Sequence, residues 1–136
     1  MLDTNTVISG FLWRKAPRLI VDAALEGHIA LVTSAVLVDE LYRVITRAKF
    51  ARKLAQADID PQALVERYAH LAQWISPAHI RRTVQEDADD DHVLACALAA
   101  RADLIVSGDA HLRNLKHFQG MPIVAPTQAL AIITRA

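Results

Sequence analysis

The sequence predicts an α/β domain: three layers, α/β/α, around a central, mainly parallel sheet of four to five strands. Three observations carry this. Short apolar runs alternate with longer stretches of helical periodicity, so consecutive strands are joined through helices and run parallel. The runs are continuously apolar rather than alternating, as strands covered on both faces are. At 136 residues and 53% hydrophobic side chains, the chain can fill the core of one domain, expected to span residues 1–136.

The elements follow in order. Only Met1 and Leu2 precede Asp3, where a first strand would carry several apolar residues, so the start reads as truncated. Pro17 at a first-turn position and Gly27 after the last periodic residue bracket a helix over Arg18–Glu26. Ile29–Thr33 reads as a buried strand, and Ser34 is a natural N-cap for a helix from Ala35 to about Arg47. A second helical hairpin follows. In it Asp60-Pro61 joins a cap to a first-turn proline, and Leu64, Val65, Tyr68, Leu71, Ala72 and Ile75 trace an apolar stripe. The stretch from Trp74 to Ile80 is the candidate for a short third strand, its limits blurred by Pro77. The last third reads as a helix from about Asp90 to Ala102, the strand Asp103–Ser107, a turn at Gly108, a short helix, the strand Pro122–Ala125 and a helix capped by Thr127.

Composition narrows the function classes. Fifteen basic and fifteen acidic residues give no net pull on a polyanion, but the signs are segregated. Arg43, Arg47, Lys49, Arg52 and Lys53 cluster in one stretch, and Glu86, Asp87, Asp89, Asp90 and Asp91 in another. Solvated surface is the simplest account of either. No apolar run reaches the roughly 18 residues a membrane helix needs, and the N-terminus lacks the pattern of a signal peptide, so a cytoplasmic chain with no membrane partner is expected. The lone Cys96 cannot form an internal disulfide and sits in an apolar helical stretch, which suits burial. The six histidines show neither HExxH nor paired Cys/His spacing, so zinc fits poorly.

The carboxylates say more. In open parallel sheets, ligands bind beyond the carboxyl ends of the strands. Asp3 and Asp109 each follow such an end, although an aspartate there equally suits a turn or a cap. Glu40 lies on the stripe of its helix otherwise given to the core, where an unpaired charge is costly and calls for a proton, a salt bridge or a metal. Asp91 stands in the first turn of its helix, where the helix dipole favours an anion. Capping does not account for five acids between residues 86 and 91, which repel one another unless a cation lies among them. All-oxygen donors of this kind suit Mg²⁺ or Mn²⁺. Such an ion lowers the pKa of a bound water and neutralises charge on a leaving oxygen.

In Met1-Leu-Asp-Thr-Asn-Thr-Val-Ile-Ser9, Val38-Asp-Glu-Leu41, Glu86-Asp-Ala-Asp-Asp-Asp-His-Val-Leu-Ala-Cys-Ala97 and Val106-Ser-Gly-Asp109, the chain resembles a PIN domain over almost its whole length. It is most similar to the toxin components of bacterial toxin–antitoxin systems, the VapC-like branch. The resemblance implies an endoribonuclease using Mg²⁺ or Mn²⁺, with Asp3, Glu40, Asp91 and Asp109 as its first to fourth acidic ligands. Asp90 or Asp89 can take the third place, because the register within the run of aspartates is open. Asn5 and Ser107 match the supporting polar positions, as does Ser9, and Asp90 joins them. Because the acids repel a polyanion, basic surface must hold the RNA backbone; Arg14, Lys15, Arg43, Arg47 and Lys49 are the candidates, with Arg18 and the rest of the 43–53 cluster beside them. The resemblance further implies a homodimer and a small antitoxin partner.

Two other classes compete. A haloacid dehalogenase-type phosphatase needs Asp-x-Asp after the first strand, and Asn5 stands where the second aspartate would exchange a proton. A silent PIN-like binding module would keep fold and acids without chemistry. A receiver domain is set aside because no lysine follows a late strand in the required context.

Overall fold

The computed structural model describes residues 1–84 and 87–135; Glu86, counted in the acidic run, lies outside them. The order is α1 (Thr4–Leu12), α2 (Ala16–Leu25), β1 (Val32–Thr33), α3 (Ala35–Ile45), α4 (Ala48–Ala57), α5 (Pro61–Leu71), β2 (Gln73–Trp74), α6 (Ala88–Ala100), β3 (Ile105–Val106), α7 (Ala110–Arg113), β4 (His117–Phe118), β5 (Met121–Val124) and α8 (Pro126–Arg135). The fold is α/β, as the alternation predicts, but the sheets are small. β1 and β2 pair in parallel; β5 lies between β3, parallel to it, and β4, antiparallel. Leu2 adds a parallel bridge to Val106, closed by Asp3 N–H to Val106 O at 3.1 Å and Val106 N–H to Met1 O at 2.8 Å.

Alternate residues along these strands enter different cores. Leu2, Leu31 and Val106 join a cluster with side chains of α1, α2, α3, α4, α5 and α8, including Ile8, Ile20, Leu41 and Leu64. Met1, Val32, Ile105 and Ile123 join another with Val93, Leu94 and Cys96 of α6 and Leu112 of α7. Side chains on a strand point to opposite faces in turn, so this partition is what two covered faces and three layers look like. Cys96 is wholly buried, and burial pushes its thiol up to about 11. Tyr68 is also inside, so the apolar stripe of α5 serves the core.

Several elements differ from expectation for local reasons. Residues 4–12 are helical although Thr4, Thr6, Val7 and Ile8 are β-branched and disfavour helix. The Asp3 carboxylate caps the helix, and burial of Val7, Ile8 and Phe11, about 1.5–3 kcal/mol for each large side chain, outweighs propensity. Gly10 lets α1 and α2 close together: a Cβ there would stand 2.6 Å from Val21 Cγ2. The third strand is Gln73–Trp74 and stops before Pro77, whose ring nitrogen cannot donate to a ladder; residues 75–84 carry no strand. β4 and β5 form a hairpin not anticipated from sequence, turned by Gln119 and Gly120 at φ 50° and 82°, as a primed turn requires. α8 starts at Pro126, and the Ala125 N–H is held by Gln128 Oε1 at 2.9 Å, so the cap is Ala125 rather than Thr127. Among the described residues no helix is long and apolar enough to cross a membrane.

Candidate metal centre

The acids meet where strands give way to helices. Asp3 ends the Leu2 bridge and caps α1, its Oδ1 accepting the Thr6 N–H at 3.0 Å. Asp109 follows β3 and caps α7, its Oδ1 accepting the His111 N–H at 2.9 Å. Asp87 caps α6, its Oδ1 accepting the Asp89 N–H at 2.9 Å. Each aspartate therefore has the ordinary reason for its position that sequence alone suggests. A cap, however, uses one carboxylate oxygen and leaves lone pairs on the other.

Asp87, Asp90 and Asp109 offer carboxylate oxygens that all lie within 4.8 Å of one another. Asp90 is buried, and among the described residues its Oδ2 has no hydrogen-bond partner. Burial, hydrogen bonding to Asp109 and repulsion from Asp109, Asp87 and Asp3 push the Asp90 carboxyl up to about 8. Asp3 is also raised, first by burial and further by Asp109, against the hydrogen bonds that favour its ionised form. Three acids held this close with a bare buried oxygen meet the requirement of a hard cation site: anionic oxygen donors with unused lone pairs and no nitrogen or sulfur ligand. No histidine joins them among the described residues.

Ser107 builds the corner. Its buried hydroxyl donates to Asp3 Oδ2 at 2.5 Å and accepts the Asp109 N–H at 2.9 Å, tying the two acids through one oxygen. Glu40 stands at the edge of the cluster. Its Oε2 accepts from Thr4 Oγ1 at 2.8 Å, and its carboxyl is raised by burial and by Asp89 and Asp87. Arg43 reaches Asp89 at 3.4 Å across the same rim.

The register within the aspartate run comes out differently from the first assignment. Asp91 is turned away from the cluster. Its carboxylate accepts the Thr83 N–H at 3.2 Å and the Val84 N–H at 2.7 Å and lies 3.3 Å from Arg82 Nε. Successive helical residues point about 100° apart, so Asp90 and Asp91 cannot share one direction, and the Thr83 and Val84 amides hold Asp91 in its own. Asn5 is exposed on α1 and Ser9 half-buried. The predicted basic set is divided. Arg43 lies at the acid rim, Arg47 begins α4, Lys49 sits 5.0 Å from the Phe50 ring, and Arg14 and Lys15 lie at the α1–α2 turn, the opposite end of α1 from Asp3.

Sequence reading missed Thr4 as the partner of Glu40 and Asp87 as a member of the cluster. Helical spacing was no signal for the second, since Asp87 is as near to Asp91 at i, i+4 as to Asp90 at i, i+3. Two more hydroxyls without hydrogen-bond partners among the described residues, Thr33 Oγ1 and Ser34 Oγ, are buried at the end of β1. A family model described as PIN domain matches residues 1–111, a span that holds every one of these acids. No curated protein and no solved structure matches the chain.

Proposed function

The chain belongs to the PIN domain family, and from that premise we propose that it is an endoribonuclease that cuts RNA phosphodiester bonds with Mg²⁺ or Mn²⁺. PIN domains are generally metal-dependent nucleases acting on nucleic acids. The observation that carries the reading here is the bare, buried Asp90 Oδ2 beside Asp87 and Asp109. A neutral Asp90 stands alone without difficulty, but an ionised one needs a cation.

Asp90, Asp109 and Asp87 would hold the ion, with Asp3 and Glu40 as the adjoining acids. When bound, the cation supplies an ionisable water and charge neutralisation at the leaving oxygen. The side chains around it do the positioning. Ser107 fixes Asp3 and the start of α7, Thr4 aims Glu40, and Asp90 gives up its proton as the ion enters. No side-chain nucleophile is required. Arg43, with Arg47 and Lys49 beyond it on the chain, and Arg14 and Lys15 would contact backbone phosphates, giving affinity without sequence choice. The choice of RNA, the role of toxin, the homodimer and the antitoxin partner belong to the same proposal and rest on the resemblance to the VapC-like branch.

The test is cleavage of a panel of structured and single-stranded RNAs, with DNA alongside, in Mg²⁺, Mn²⁺ or EDTA. Wild type should cut RNA only with metal, and a folded Asp90→Asn variant should not cut. Cutting of DNA alone would overturn the choice of substrate; metal binding with no cutting of any nucleic acid would favour a silent binding module.

A further inference from the structure

At the end of α1 remote from Asp3, Arg14, Arg18, Lys53 and Arg67 line a cavity of about 590 Å³ between α1, α2, α4 and α5. Asp22 is the one carboxylate lining it among the described residues, and it is paired with Arg18 at 3.6 Å. The other cations have no ion-pair partner among the described residues, and two are held by aromatic rings instead. Lys53 Nζ lies 5.7 Å from the Trp13 ring and Arg67 Cζ 5.5 Å from the Phe11 ring. The difference matters for charge. A carboxylate would cancel the cation it positions, whereas a ring quadrupole positions it and leaves its full charge to act on a third party. The groove therefore presents fixed, uncancelled positive charge beside a half-exposed indole.

Nine helical residues at 1.5 Å each put this groove roughly 14 Å along α1 from the acids. That spacing resolves a conflict within the site: the carboxylates that gather a cation also repel a polyanion, so the attractive contacts belong some distance away. We propose that the groove is a backbone-binding site for single-stranded RNA, with Lys53, Arg67 and Arg14 on phosphates and Trp13 as a surface for one base. The proposal deepens the ribonuclease reading and rests on it for its choice of ligand. An acidic peptide is the other polyanion the groove would attract, and the test includes one.

The measurement is fluorescence anisotropy of a labelled, mixed-sequence single-stranded RNA, in EDTA so that nothing is cut. Wild type is compared with Lys53→Gln/Arg67→Gln, with Arg14→Gln, and with Arg101→Gln/Arg135→Gln, which removes equal charge elsewhere; melting curves confirm that each is folded. The groove double variant should bind about tenfold more weakly, with a salt dependence shallower by about 1.4 in log–log slope, or 0.7 per lost phosphate contact. Arg14→Gln, which touches no ring, should lose about half of that slope change even if the double variant folds poorly. Equal weakening by the control pair, no binding to wild type, or tighter binding of a labelled oligoglutamate than of RNA would each overturn the proposal. Binding in EDTA is independent of cleavage: RNA held but never cut leaves the groove standing and removes the nuclease reading, while cutting that ignores the groove variants does the reverse.

Discussion

On one side of the α6 N-terminus, Asp91 receives the amide protons of Thr83 and Val84 and lies beside Arg82; on the other, Asp90 faces Asp87 and Asp109 with one oxygen bare. The two residues are adjacent in sequence, carry the same group and are both shielded from water. What separates them is whether donors or acceptors surround the carboxylate. Asp91 is satisfied by its own chain and strengthens the fold, holding residues 83–84 against the helix. Asp90 costs the fold something, and a group kept on such terms is a candidate for a binding site.

The contrast can be broken most directly by substituting each in turn. Asp90→Asn should reduce metal-dependent RNA cleavage by about 10²–10³-fold or more, because several kcal/mol of charge stabilisation depend on the ion. Asp91→Asn should keep most of the activity; a loss in Asp91→Asn and not in Asp90→Asn would restore Asp91 as the ligand. Ser107→Ala sharpens the picture one step away from the ion. It leaves Asp3 Oδ2 and the Asp109 N–H without their shared partner, and a roughly 10–100-fold fall in metal affinity, read by Mn²⁺ titration, is expected.

Stability should move the opposite way from activity. Asp91→Ala abandons two amide donors and should cost about 1–3 kcal/mol, visible as several degrees in Tm, whereas Asp90→Asn in metal-free protein should raise Tm by a few degrees. The smallest effect is in the pH profile. An unfolded aspartate titrates near 3.9, while the folded Asp90 carboxyl is raised to about 8. A raised acid contributes its full stability below the unfolded value and loses it as pH climbs through the folded one. The Tm of metal-free wild type should thus fall relative to Asp90→Asn between about pH 4 and 8 and then run parallel to it. Saturating Mn²⁺ should remove the slope, since the ion competes with the proton. A slope that persists in Asp90→Asn would place the titrating group elsewhere.

The sequence revealed these features unevenly, for physical reasons. Helices with a cap and an apolar stripe, such as α3 and α5, were legible because both signals are local. α1 was not, because its β-branched residues argue against helix and only tertiary burial reverses them. β4 and its pairing with β5 hid behind a Gln-Gly turn in which glutamine adopts a left-handed conformation that residues with long side chains rarely take. At the site, Asp3 and Asp109 could be read from their place after strands and Glu40 from its misfit with an apolar stripe, whereas Ser107 came only from the family resemblance. The distinction between Asp90 and Asp91 could not, since it depends on where α6 begins: it starts at Ala88 rather than near Asp90, and two residues of helix phase decide which aspartate faces the crevice.

The bond from Ser107 to Asp3 spans 104 residues. It ties Asp3 to a residue made 104 residues later on the ribosome. Because the acid cluster needs Asp87, Asp90 and Asp109 together, a nascent or prematurely terminated chain ending before residue 109 carries an incomplete set. Contacts of such long separation also form late and slowly in folding. The complete acid set therefore exists only once residue 109 has been made and has folded back on Asp87 and Asp90.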